Sequence, residues 1–384
     1  MTDFAAIRSQ FPILDQEIHG HPLVYLDSAA TSQKPQCVID AESDFYRTIN
    51  AGVHRGAHEL AARSTMAFED ARAKVAKLVG ANSAEGEEEI VVTKAEHHSV
   101  LLPFQELALR TGATLKWFDL DEEGRVRSDA ADEVITDRTK IVAVTHVGNT
   151  TGAITDIAPI IRRAHEVGAV FVLDACQSVP HLKVDFHALD VDFAAWSAHK
   201  MYGPTGVGFL YGKREMLEAL PPANFGGSMV ELAWMDQEAQ YMEPPARFEA
   251  GTQPVAQVVA AGVAAEWLMN IGMENLEAHE RTITDELLKM GDIDGIRILG
   301  PRSNKERIGT VAFEVEGVHP HDVGQFIDAQ GIAIRVGHHC AQPVHRHFGV
   351  YASNRASSGI YNSVEDAQAL IEALGKVRPF FGVE

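Results

Sequence analysis

The stretch "GAVFVLDACQSVPHLKVDFHALDVDFAAWSAHKMYG", residues 168–203, holds two short apolar runs that each end on polar residues. "AVFVLDA" and "DFAAWSAH" are too short for helices and rich in β-branched and aromatic side chains, which predicts strands. Continuous apolar runs, not alternating ones, are what a parallel sheet covered on both faces requires. Outward from this stretch, "EEIVVT", "ATLKWFDL", "TKIVAVTHV" and "GVGFLYG" read as further strands. "SVLLPFQELALRTG" and "IAPIIRRAHEVG" read as helices stopped at Gly112 and Gly168. The alternation predicts an α/β fold around a mostly parallel sheet. Chemistry in such sheets gathers beyond the carboxyl ends of the strands. That rule makes neighbours of His146 and Asn149, of Asp174 and Gln177, and of Ser197 to Lys200.

Past "FEAGTQP" the texture changes. Two helical stretches, "VAQVVAAGVAAEWLMNIG" and "MENLEAHERTITDELLKM", lead into strand "IGTVAFEVEG", helix "HDVGQFIDAQ", strand "IAIRVG" and helix "VEDAQALIEALGKV". This predicts a smaller α+β domain. With 384 residues, 46% of them hydrophobic, the chain can bury a large core and divide into two domains sharing a cleft. Its 33 Lys and Arg against 54 Asp and Glu give a net charge of −21, and no basic stripe offsets it. Such a surface repels phosphate backbones, which argues against nucleic acid and anionic membranes as partners. The opening "MTDFAAIRSQFPIL" lacks the basic start and apolar core of a signal peptide. No apolar run is long enough to span a bilayer; Gln257 and Glu266 break the best one. Three scattered cysteines, Cys37, Cys176 and Cys340, make no disulfide framework. A cytoplasmic protein is expected.

Three places carry chemistry. Lys200 sits just past a predicted strand, where a desolvated amine is a good imine former. Asp174 ends another strand, either as a helix cap or as the carboxylate that keeps a cofactor's pyridine nitrogen protonated. "RVGHHCAQPVHRH", residues 335–347, sets Cys340 among four histidines. That loop reads as a metal site, a nucleophile or a structural loop. Structural zinc sites space their ligands by two to four residues in two pairs. Adjacent His338, His339 and Cys340 do not fit that pattern, so no metal is expected and a nucleophilic thiolate is favoured.

In order along nearly the whole chain, "HGHPLVYLDSAATSQKP", "GVHRGAHELA", "EHHS", "LDACQ", "SAHKMYGPTGVG", "RFEAGTQ", "RVGHHCAQP" and "NRASSGIYN" resemble the cysteine desulfurases of the SufS type. The resemblance implies a fold-type-I pyridoxal phosphate (PLP) enzyme with a mostly parallel, seven-stranded-type sheet in a large domain at 15–266. Residues 1–14 and 267–384 would form the small α+β domain carrying the nucleophile. Lys200 would hold the cofactor and shuttle the substrate α-proton, Asp174 would pair with the pyridinium nitrogen, and His97 would stack on the ring. Gln177 and Asn149 would bond the O3′ region, and Ser197 and His199 the phosphate. Thr252 would reach the phosphate of a neighbouring subunit, which implies a homodimer. Arg355 would clamp the substrate carboxylate, with Asn149 beside it, and Cys340 would take sulfur from L-cysteine as a persulfide. The sulfur would pass to an acceptor protein of the SufU or SufE type for iron–sulfur cluster assembly. "HPHDV", with His321 as an exchangeable zinc ligand, favours the SufU type.

One segment departs from the pattern. "KLVGANSAEGEEEIVVTKAEHH" runs straight to the strand before His97, about two dozen residues short of the family and without its Thr-rich, helix-opening phosphate turn near residues 82–88. Two ordered parts joined across a missing stretch, a true deletion and a substitute anchor each account for this; the smooth return at Glu89 favours the first. Selenocysteine lyase activity and a silent, cofactor-deficient homologue are the alternatives to desulfurase activity.

Overall fold

The computed structural model describes residues 9–18, 21–22, 35–49, 59–60, 62–64, 66 and 88–383, in two compact units divided between Ser83 and Ala84. In the first unit, Gln36–Thr48 forms a helix opened by Pro35, and Glu17–Ile18 pairs antiparallel with His21–Pro22. The segment at 82–87 lies outside the described residues.

The second unit holds two large sheets and a two-stranded ribbon, Val230–Leu232 with Gln240–Tyr241. The larger is built from β1 (Glu89–Thr93), β2 (Thr114–Phe118), β3 (Thr139–Thr145), β4 (Val170–Asp174), β5 (Phe193–Ser197) and β6 (Gly208–Gly212). Their order is β2-β1-β3-β4-β5-β6, parallel except for β6, which pairs antiparallel with β5. The expected seven-stranded-type sheet thus has six strands among the described residues. Helices α1 (His98–Thr111) and α2 (Ala158–Glu166) connect its strands. Gly112 and Gly168 follow them in left-handed conformation, with φ of 74° for each, as the sequence predicts. Phe118, Ile135, Ile160, Phe171 and Leu173 fill the core and are fully buried. Glu89 is an anion buried at the start of β1, and Thr136, Lys116 and Arg138 satisfy it.

Past β6, helices α3 (Val255–Ile271) and α4 (Met273–Leu288) lead to the smaller sheet. That sheet comprises β7 (Ile296–Leu299), β8 (Thr310–Val315), β9 (Arg335–Gly337) and β10 (Ser353–Ser357), in the antiparallel order β7-β8-β10-β9. Helices α5 (Pro320–Asp328), α6 (Gln342–His347) and α7 (Val364–Leu374) accompany it. Ile283 and Leu287 of α4, Val323 and Ile327 of α5, and Leu370 of α7 bury one face of the sheet around Phe313. No single helix among the described residues is long and apolar enough to cross a membrane.

The loop after β3 joins the two sheets. Ile308 N–H donates to Gly152 O, and Ile154 N–H to Glu306 O, both at 2.9 Å. The guanidinium of buried Arg307 donates to the carbonyls of Pro301, Ile308 and Thr310. Burial without a carboxylate partner pulls that guanidinium down to about 10. Gly152 is left-handed (φ 71°), and a Cβ there would lie 2.3 Å from Thr310 O. Neither the dihedral nor the space admits a side chain. Gly152→Ala is expected to cost about 2–4 kcal/mol, read as a loss of several degrees in melting temperature. An unchanged melting temperature would mean that the junction between the sheets is looser than its hydrogen bonds imply.

Candidate active site

Three strands of the large sheet end together. Thr145 at the end of β3 lies opposite Asp174 at the end of β4, and Asp174 opposite Ala195 of β5. His146 N–H donates to Asp174 O at 3.0 Å, and Cys176 N–H to the Asp174 carboxylate at 2.9 Å. A 3-10 turn, Ala198–Lys200, follows β5 directly and presents half-buried Lys200. Burial first, then the Asp174 charge, pushes the Cys176 thiol up to about 11, so it remains protonated and inert.

Two residues before α1 bring a second carboxyl to the same edge. Glu96 is fully buried; it accepts from Thr93 Oγ1 at 2.7 Å and from Thr145 N–H at 2.8 Å. Burial, reinforced by nearby Asp174, pushes it up to about 8 against those hydrogen bonds, so it is protonated at neutral pH. His97 caps α1, its Nδ1 accepting Ser99 N–H at 3.1 Å. Burial lowers its pKa, and Lys200 adds to that more than Asp174 offsets. His97, Lys200, Asp174 and, more weakly, Arg355 therefore share one electrostatic neighbourhood.

The cysteine loop closes over this edge from the smaller sheet. His339 and Cys340 are consecutive non-glycine residues in the left-handed region, with φ of 51° and 55°. Each such residue costs roughly 1–2 kcal/mol, and hydrogen bonds offset that. Cys340 O accepts from His98 N–H at 2.7 Å, His339 O from Asn149 Nδ2 at 2.6 Å, and His338 O from Ala341 N–H at 2.9 Å. The Cys340 side chain is exposed. The histidines do not converge on it as ligands, and no three His, Cys, Asp or Glu side chains could hold a metal ion among the described residues. Instead, buried Ser353 Oγ bridges His339 Nε2 at 3.0 Å and His345 Nε2 at 2.9 Å. His347 turns away to Asp121 O.

Arg355 stands two residues beyond Ser353 on β10, on the same face of the sheet. Its Nη1 donates to Asn149 O at 2.9 Å, while its Nε is buried without a partner. Burial, then Arg335 opposite it on β9, lowers its pKa, while Cys340 acts the other way. Asn149 thus touches both the cysteine loop and the arginine.

The fold brings Lys200, Asp174, His97, Asn149, Cys340 and Arg355 to one edge. Ser197 joins them with a buried hydroxyl that lies beside the Cys176 thiol. Gln177 is half-buried just past Asp174, and His199 is exposed beside Lys200. Thr252 lies in an exposed turn before α3 and makes no hydrogen bond among the described residues. His321 sits exposed on the first turn of α5, its N–H donating to His319 Nδ1 at 3.2 Å. Sequence reasoning misses Glu96 and Ser353. No sequence signal marks Ser353, because its two partners meet only when the loop folds back onto β10.

The family model "Aminotransferase class-V" matches residues 24–86 and 84–370. A protein of Streptomyces coelicolor named "Probable cysteine desulfurase" is 45% identical over 413 residues, covering 100% of this chain and 99% of its own length. Among solved structures, the apo cysteine desulfurase from Thermococcus onnurineus NA1 is similar at TM-score 0.73 and 33% identity, over 99% of each chain. The cysteine desulfurase CsdA from Escherichia coli is similar at TM-score 0.72 and 35% identity, again over 99% of each. The 413 aligned positions exceed the 384 residues here by 29. The family match also restarts at residue 84, before its first part ends at 86. The break in the family match places the shortening near residues 84–86 of this sequence.

Glu96 yields a pH test. Its folded pKa of about 8 lies above the ordinary carboxyl value of 4.5, so its contribution to stability is complete below about 4.5 and lost as pH rises through about 8. Glu96→Gln lacks this loss. Melting curves from pH 5 to 9 should show the variant gaining on the wild type as pH rises; parallel curves would place Glu96 as an ordinary ionised carboxylate.

Proposed function

The chain belongs to the class-V aminotransferase family, and on that premise we propose that it is a fold-type-I, PLP-dependent cysteine desulfurase. One observation carries the reading. The loop presenting Cys340 is bonded both to the start of α1, beside His97, and to Asn149, which in turn binds Arg355. A nucleophilic thiol, a carboxylate-binding guanidinium and a strand-end lysine thereby face one space.

The residues fit the cofactor. Ser197 offers a buried hydroxyl, near only the weakly bonding Cys176 thiol, that is suited to a phosphate oxygen. Asp174 offers a carboxylate to a pyridinium nitrogen, Lys200 an amine for attachment and His97 a neutral ring for stacking. Gln177 and Asn149 would bond its O3′ region, and His199 and a partner subunit's copy of the Thr252 turn would add to the phosphate site. Bound PLP supplies the electron sink that makes the substrate α-proton removable. Arg355 binds the carboxylate of L-cysteine, and its buried Nε–H, unpaired in the protein, adds a second donor to that grip. Lys200 Nζ takes the α-proton and later returns one to the product. Cys340 Sγ attacks the substrate sulfur; the carbon–sulfur bond breaks as the sulfur–sulfur bond forms. L-cysteine and the Cys340 thiol become L-alanine and a Cys340 persulfide, with atoms and electrons balanced.

The persulfide sulfur goes to an acceptor protein for iron–sulfur cluster assembly in the cytoplasm. Exposed His321 supports an acceptor of the zinc-bearing SufU type, by exchange of the imidazole onto its metal. Val258, Val259, Val263 and Trp267 of α3 are exposed apolar side chains just beyond Thr252, which supports a homodimer completed at this face. The cofactor-holding domain is assigned to 15–266, and the small domain to 1–14 and 267–384. The shortening near residues 84–86 supports a second reading, in which PLP is held weakly and the protein is recovered mostly without it.

Absorbance separates the two readings. A visible cofactor band that shifts on adding L-cysteine is expected once PLP is supplied, and a protein that stays colourless in excess PLP would sink the desulfurase reading. Cys340→Ser should cut sulfide release under dithiothreitol at least about a hundredfold. His321→Ala should abolish stimulation by a zinc-bearing acceptor, with acceptor-free turnover as the control.

A further inference from the structure

The serine bridge fixes more than a loop. A carbonyl oxygen only accepts, so the 3.1 Å contact between Ala341 O and His345 Nδ1 places the His345 proton on Nδ1. His345 Nε2 is then bare in the neutral ring and accepts the single proton of Ser353 Oγ. With its proton committed, Ser353 Oγ must accept from the second imidazole, which places the His339 proton on Nε2. The chain of bonds ends at His339 Nδ1, a bare lone pair that is buried and unpartnered in the protein.

An acceptor buried without a donor carries a desolvation cost, yet two hydrogen bonds and a backbone carbonyl hold this one in place. Its surroundings keep it an acceptor. Burial, then Arg355, His345, Arg335 and His338, all disfavour a positive charge and pull the ring down to about 3. Nor can His339 serve as a general base, since it would have to hold a proton in a buried place near the guanidiniums of Arg355 and Arg335. It is a neutral acceptor at a fixed place: next in the chain to Cys340, bonded through its carbonyl to Asn149 and close to Arg355.

On the desulfurase reading above, the substrate lies with its carboxylate on Arg355 and its sulfur at Cys340; His339, next in the chain to Cys340, and Asn149, bonded to Arg355, flank both. We propose that His339 Nδ1 accepts a hydrogen bond from the thiol of bound cysteine, and that Ser353 and His345 are positioning residues that fix the tautomer required. The arrangement selects for a substrate carrying a proton on the atom beyond its β-carbon, and it offers nothing to the alanine left behind. Product release is thereby favoured over substrate release.

The test compares L-cysteine with L-alanine on the holoenzyme. Ser353→Ala frees the His339 tautomer and should raise KM for L-cysteine roughly tenfold, the weight of a hydrogen bond of about 1.4 kcal/mol. The inhibition constant of L-alanine should stay within about twofold. Nitrogen-15 spectra of histidine-labelled enzyme should show His339 protonated on Nε2 alone, and on both nitrogens in exchange in Ser353→Ala. Equal losses for both amino acids would reduce the bridge to a support for the loop and overturn the proposal. So would an altered tautomer with an unaltered KM. Should Ser353→Ala not fold, Cys340→Ala, which cannot take the sulfur, decides. In that variant the His339 Nδ1 resonance shifts with L-cysteine and not with L-alanine, and identical responses overturn the proposal. A wild-type enzyme that never processes L-cysteine would instead overturn the desulfurase reading itself.

Discussion

Two peptide carbonyls, those of His339 and Cys340, hold the reactive half of this molecule against the other. One accepts from Asn149 in the loop after β3 and the other from the first turn of α1. The cost falls on backbone conformation, since neither residue is a glycine and both are left-handed. The geometry turns a loop of the smaller sheet onto the carboxyl edge of the larger one. Without it, Cys340 and Arg355 would share a sheet but not a space with Lys200 and Asp174.

The charges at this edge are arranged to keep most of its titratable groups neutral. Glu96 holds its proton chiefly because it is fully buried, and the Asp174 charge adds to this. His97, His146, His339 and His345 are all pushed toward the neutral ring, chiefly by burial. Glu96 Oε2 and His146 Nδ1 are among the groups left unpaired there, and so are Arg355 Nε, Asn149 Oδ1, Ser197 Oγ and His339 Nδ1, which are a donor, two acceptors and a hydroxyl that can be either. They are the complement of a molecule that carries carboxylate, amine, thiol and phosphate functions between substrate and cofactor. The same electrostatics explain the inertness of Cys176, which sits beside Asp174 with its thiol pushed up, whereas exposed Cys340 stands near a guanidinium.

Much of this is legible in the sequence. Short continuous apolar runs specify buried parallel strands, because a strand covered on both faces has no polar side to show. Gly112 and Gly168 mark the helix ends, because a left-handed residue tolerates no other side chain so readily. Lys200, Asp174 and Asn149 fall together by chain pattern alone, since strand ends in such a sheet share one edge. The shortening before β1 is visible too, and the break in the family match places it near residues 84–86. What the sequence leaves open requires the tertiary fold. "HHC" suggests metal, nucleophile or structure, and the choice depends on where each ring nitrogen finds a partner. Ser353 carries no local signal, and its role exists only because β10 passes behind the cysteine loop. The protonation of Glu96 likewise follows from burial next to Asp174, two strands away. Local patterns determine which elements form, because propensity and burial are properties of short segments. Proton positions and charge states depend on contacts between residues distant in the chain, and only the folded structure decides those.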